Sequence, residues 1–133
     1  METAEKSIVI SKTDYELIVQ NLRGGLGRFN FTPGDAGALE AEMRKAVVAD
    51  ADDMPMDVVR LNSLITIRGE KDEKAMQLRL VAPENADTRQ RKVSVLSPIG
   101  AALIGRAKGQ MVGWKVPAGF RKFKIIDVVN GWL

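Results

Sequence analysis

The chain has no cysteine and no histidine among its 133 residues. The missing cysteine excludes disulfides and thiolate metal sites. The missing histidine removes the commonest general base, the commonest metal ligand and every Ser-His or Cys-His nucleophilic pair. An enzyme built from this sequence would have to use carboxylates, lysine, arginine, serine, threonine or the one tyrosine. Aromatic residues are scarce, and no apolar run reaches the ~18–20 residues of a membrane span. The opening Met-Glu-Thr-Ala-Glu-Lys lacks the charged-then-apolar pattern of a secretion signal, so an intracellular location is expected. The residues alone assign no catalytic group, cofactor, metal or small-molecule substrate.

What is present is an ordinary globular composition, 45% hydrophobic and 28% charged, which argues against global disorder. Charge is unevenly spread. Residues 1–50 hold 6 lysines and arginines against 8 acids, whereas residues 51–133 hold 14 against 9. A basic second half suits nucleic acid or an acidic protein surface, although a mixed solvated surface is the plainer reading.

Ser7–Ser11 is a short β-like run. Thr13-x-x-Glu16 reads as a capping box, opening a helix to about Arg23 with Tyr15, Ile18 and Leu22 on one stripe. Gly24-Gly25 should end it. The glycine-rich Gly24–Phe31 lacks the Gly-Lys-Ser/Thr of a phosphate loop and reads as a turn. Arg28, Phe29 and Phe31 lie at this turn, where they can meet a partner or fold back onto their own helices. Thr32-Pro33 opens a second helix, with Ala36, Leu39, Met43, Ala46 and Val47 on a stripe through about Ala49. Together the helices form a short antiparallel hairpin. Asp50, Asp52 and Asp53 lack the ligand spacing of a calcium loop and read as a solvated end. Met54-Pro55 breaks the pattern, dividing an N-terminal segment, 1–53, from a C-terminal domain, 54–133.

Beyond that boundary the period becomes 2. Leu64–Arg68, Ala75–Val81, Met111–Val116 and Phe120–Val128 read as strands, the last two joined at Pro117-Ala118-Gly119. Val93 and Val95 suit another strand. It leads into Ser97 as N-cap, Pro98 at the first helical position and an apolar Ile99, Ala102, Leu103 face. Gly105 should end this helix in a left-handed conformation. The C-terminal part is therefore α+β: antiparallel strands with one short helix on a face.

Two segments carry a family resemblance. Met54-Pro55-Met56-Asp57-Val58-Val59-Arg60-Leu61-Asn62-Ser63 resembles the junction motif of Rnk proteins, the regulators of nucleoside diphosphate kinase. Ser94–Gly105, with Lys108-Gly109 and Val116-Pro117-Ala118-Gly119, resembles the C-terminal domain shared by Rnk and the Gre transcript-cleavage factors. The resemblance implies a bacterial, cytoplasmic protein with an FKBP-like C-terminal domain and an N-terminal coiled-coil hairpin. It implies RNA polymerase as the partner, with docking near the secondary channel.

Ser97 and Pro98 match a Ser-Pro pair used in Gre docking. The position before the pair is acidic or amide-bearing in Gre factors and is Leu96 here. Gre hairpins carry acidic tip residues that help hold a catalytic Mg²⁺. This turn has no Asp-x-x-Glu, and Arg28 would repel the ion. The expectation is a non-enzymatic regulator that lacks transcript cleavage and competes with longer factors.

Two other readings stand beside it. A prolyl isomerase, by fold analogy, would need an apolar pocket lined by Trp114, Phe120, Phe123 or Trp132. Direct nucleic-acid binding would use Arg89, Arg91, Lys92, Arg121, Lys122 and Lys124. It is the less expected mode, because alternating basic residues on strands also serve as a solvated face.

Overall fold

Ile8, Ile10, Ile18, Leu39 and Met43 from the first third of the chain share one buried cluster with Ile65, Ile67, Leu80, Val95, Leu103, Ile104 and Ile125. The computed structural model describes residues 8–24, 33–71, 74–116 and 119–130. In chain order these form β1 (Val9–Ser11), α1 (Lys12–Gly24), α2 (Pro33–Lys45), β2 (Val47–Ala49), β3 (Leu64–Gly69), β4 (Ala75–Val81), β5 (Lys92–Ser94), α3 (Pro98–Leu103), β6 (Met111–Val116) and β7 (Gly119–Val129). Short 3₁₀ turns occupy Ala51–Asp53, Pro83–Asn85 and Thr88–Gln90.

β1 and β2 pair in parallel, Val9 with Val47 and Ser11 with Ala49. This pairing brings the start of α1 and the end of α2 to one place. The connection 25–32 lies outside the described residues, and with it the turn expected to close the hairpin. The second helix is shorter than its apolar stripe predicts. It ends at Lys45 instead of running to Ala49. The N–H of Val47 donates to the carbonyl of Ile8 at 2.8 Å, because two β-branched valines beside an open strand edge favour the ladder over another helical turn. The first helix also starts earlier than predicted. Ser11 Oγ accepts the N–H of Asp14 at 3.1 Å, so Ser11, not Thr13, caps it.

The larger sheet runs β5-β4-β3-β7-β6. Its β3–β4, β3–β7 and β6–β7 ladders are antiparallel as predicted. The edge strand β5 departs from that pattern, pairing in parallel with β4. The connection 82–91 folds back along β4 through two 3₁₀ turns, with Arg91 in the left-handed region (φ 57°). It thereby delivers Lys92 beside Arg79. The period-2 pattern holds: Ile65, Ile67, Leu78, Leu80, Phe123 and Ile125 are buried on one face, and their neighbours point to the other.

Candidate docking surface

The turn from β5 into α3 is held by two serine hydroxyls. Ser94 Oγ accepts the N–H of Leu96 at 3.0 Å, and Ser97 Oγ donates to the Ser94 carbonyl at 2.7 Å. Ser97 Oγ also accepts the N–H of Gly100 at 3.1 Å, the predicted N-cap. One acceptor lone pair of that hydroxyl remains for a partner. Pro98 sits at the start of the helix. Val95 and Leu96 are buried, whereas Ser97, Pro98, Ile99, Ala101 and Ala102 are half-buried. The surface presented is therefore small and largely apolar. Leu96 belongs to the core beneath it.

The close seat of α3 depends on Gly100. A Cβ there would stand 2.0 Å from the Ser94 carbonyl oxygen and 2.9 Å from Val95 Cα. Gly105, at φ +79°, ends the helical segment as predicted. Its carbonyl accepts the N–H of Val9 at 3.1 Å, and a Cβ on it would meet Ile8 Cβ at 2.5 Å.

The junction segment 54–63 is the second part of the surface's support, and it has no regular structure of its own. Its backbone groups bond to residues from four separate parts of the chain, as buried polar groups require. Val59 exchanges hydrogen bonds with Arg106 and Gly105 (2.8 and 3.0 Å). The Asp57 carbonyl accepts the N–H of Lys108 at 2.9 Å, and Leu80 accepts from Asn62 and donates to the Ser63 carbonyl. Asn130, one residue past β7, donates to the carbonyls of Met56 (3.0 Å) and Val58 (2.9 Å). Fully buried Ser63 accepts the N–H of Arg60 at 2.7 Å and donates to Asn130 Oδ1.

Asp14 on α1 completes the set, its carboxylate accepting the N–H of Leu61 at 3.1 Å. Burial pushes this carboxyl above its ordinary value of 3.8, and the Leu61 N–H, Arg60 and Ser11 pull it back only in part. Glu42 on α2 meets Arg106 at 3.0 Å, the two side chains 30% and 12% exposed. One carboxylate thus ties α1 to the junction segment before β3, and another ties α2 to the segment before β6.

Ser97 and Pro98 lie together at the start of α3, as the sequence predicts. Arg28, Phe29 and Phe31 lie outside the described residues. Asp14, Arg106 and Asn130 carry no sequence signal, since each acts on backbone or side chains distant in the chain. Asp52 and Asp53 are exposed, and among the described residues no cluster of three or more acids is placed to hold a metal ion.

Residues 54–130 match the family profile described as transcription elongation factor, GreA/GreB, C-term. The chain belongs to the GreA/GreB family. It is similar to the transcription elongation factor GreA of Clostridium botulinum strain Alaska E43, 34% identical over 101 residues covering 76% of this chain. GreA of Thermoanaerobacter pseudethanolicus is also 34% identical, over 98 residues. The chain spans about 63% of the length of the Clostridium relative and 62% of the other.

Among solved structures, the GreA/GreB-family factor from Nitrosomonas europaea superposes with a TM-score of 0.77 at 35% identity, covering 95% of this chain and 100% of that one. Thermus aquaticus Gfh1, at 17% identity and a TM-score of 0.53, shares the fold. The GreA/GreB profile begins at Met54, so the junction segment and every strand of the larger sheet fall within it.

Proposed function

We propose that this GreA/GreB-family chain is an RNA polymerase-binding regulator of the Rnk type. In this reading it is a bacterial, cytoplasmic protein whose FKBP-like domain docks beside the secondary channel through Ser97 and Pro98. Its helices enter the channel mouth as a short antiparallel hairpin. It has no transcript-cleavage activity of its own, and it competes with longer Gre-type factors.

The observation that carries the reading is the division of labour across Leu96, Ser97 and Pro98. Leu96 is 2% exposed and fills the core. The next two residues remain reachable at the lip of α3, with a hydroxyl lone pair and a rigid ring on offer. The absence of an acidic pair from the sequence of the turn supports the lack of cleavage. The length of the helices, 13 residues each, supports competition at the channel mouth over reach to its floor.

The test is a pull-down with core RNA polymerase, comparing wild type with Pro98→Ala and Ser97→Glu. Wild type should associate at micromolar concentration and the variants should weaken. A cleavage assay on backtracked complexes should show no product above background, and added chain should slow a Gre factor. Wild type that does not bind polymerase would sink the reading.

A further inference from the structure

The unburied face of the larger sheet is basic. By alternation from Ile65, Ile67, Leu78, Leu80, Phe123 and Ile125, the opposite face carries Arg68, Gln77, Arg79, Lys92, Lys122 and Lys124. Cross-strand register sets Arg68 directly beside Lys124, and Arg79 directly beside Lys92. Like charges in these positions cost stability in the isolated protein, and a polyanion laid across them would remove that cost. Arg79 also donates to the Asn62 carbonyl at 2.6 Å. Asp127 lies on β7 opposite Thr66 and pairs with Lys108 at 3.6 Å.

At the β6–β7 end of the same face stands Phe120, 62% exposed. Its ring rests against Gly113, where a Cβ would come within 2.6 Å of ring carbons. Phe120, Lys122 and Lys124 alternate along one strand, so the ring and two ammonium groups share a face. Glu70, Lys71, Arg121 and Lys122 line the shallow depression around the ring. Arg121 packs over the Phe123 ring at 5.1 Å. The Glu70 oxygens can accept only a donor, such as the amino group of a base.

An exposed aromatic beside a row of cations is the arrangement that stacks a base while holding its backbone. We propose that this sheet face binds single-stranded RNA, with Phe120 stacking a base and Lys122, Lys124 and Arg68 holding phosphates. The face is ~19 Å across at ~4.8 Å per strand spacing, enough for a few nucleotides. The choice of RNA over DNA rests on the polymerase reading, because RNA is the single strand an elongating polymerase releases.

The test uses the full chain without polymerase, so it can fail independently of the docking reading. Fluorescence anisotropy with a labelled 12-nucleotide mixed-sequence RNA is followed from ~20 to ~200 mM salt. Binding should weaken log-linearly with salt. Lys122→Gln with Lys124→Gln should flatten that slope by about 1.4. Phe120→Ala should weaken binding about tenfold with the slope unchanged. Thermal unfolding should show no loss of stability in the lysine variant, where the Arg68–Lys124 repulsion is relieved, and little change in Phe120→Ala, whose side chain is 62% exposed.

No RNA binding at ~20 mM salt overturns the proposal, as do variants that bind like wild type. Tighter binding of the same sequence as DNA overturns the choice of RNA. Equal binding of polyglutamate, insensitive to Phe120→Ala, assigns the face to an acidic protein and overturns it as well.

Discussion

The Asp14 carboxylate accepts the backbone N–H of Leu61 across 47 residues of sequence. It joins the first turn of α1 to the segment that leads into β3. Replacing it with alanine leaves a donor on an 8%-exposed residue without its partner. Asp14→Ala should therefore lose about 1–3 kcal/mol of stability, read by urea unfolding.

The same residue makes a signed pH prediction. Burial raises the folded-state value above 3.8, so the folded chain holds this proton more tightly than the unfolded one. The stability that Asp14 contributes is greatest at and below pH 3.8 and falls as pH rises through the folded value. Asp14→Asn keeps an acceptor for Leu61 without the titration. The difference between wild type and Asp14→Asn should favour wild type most near pH 3 and shrink toward pH 7. A difference that grows with pH would mean the carboxylate is stabilised by its site.

Gly100→Ala places a methyl 2.0 Å from the Ser94 carbonyl oxygen. Backbone must move, because no flexible side chain is there to yield. A loss of ~1–3 kcal/mol or more is expected. Loss of polymerase association should accompany it, since α3 would lift from β5. Unfolding curves and the pull-down read the two effects separately.

Ser97→Ala removes the acceptor for the Gly100 N–H and the donor to the Ser94 carbonyl. The loss should be about 1 kcal/mol, or ~4 °C in Tm for a chain of this size. Ser97→Thr keeps the hydroxyl and should recover most of it. A Ser97→Ala chain as stable as wild type would assign the cap elsewhere.

The Glu42–Arg106 pair is partly buried, which places it between the exposed and the buried cases. Arg106→Met should cost about 1–3 kcal/mol. A double-mutant cycle with Glu42→Gln should return a coupling above ~0.5 kcal/mol. The exposed Lys12–Asp50 pair, at 3.7 Å, should return a value near zero.

Four strands of the larger sheet, the short helix with its Ser97 cap and Pro98, and the left-handed Gly105 were legible in the sequence. Each follows from steric and hydrogen-bonding preferences acting over a few residues, and tertiary packing reinforced those preferences instead of opposing them. Where packing offered a competing partner, the local reading failed. Ala46 and Val47 continued an apolar helical stripe, yet the open edge of β1 drew Val47 into a strand. Thr13 had the better capping pattern, but Ser11 already stood at the end of β1 with its hydroxyl on the helix. Lys92–Ser94 looked like any other strand, and its parallel pairing depended on the path of the connection 82–91.

Sequence by itself thus determined the strands of the larger sheet and the short helix, the family resemblance and the chemistry that histidine and cysteine could not supply. Tertiary structure alone decided how Leu96, Ser97 and Pro98 divide between core and surface, and which carboxylates bind the helices to Leu61 and Arg106. It also decided that Arg68 stands beside Lys124. These relations are between residues far apart in the chain. Their energies depend on burial and register, which no local pattern of residues encodes.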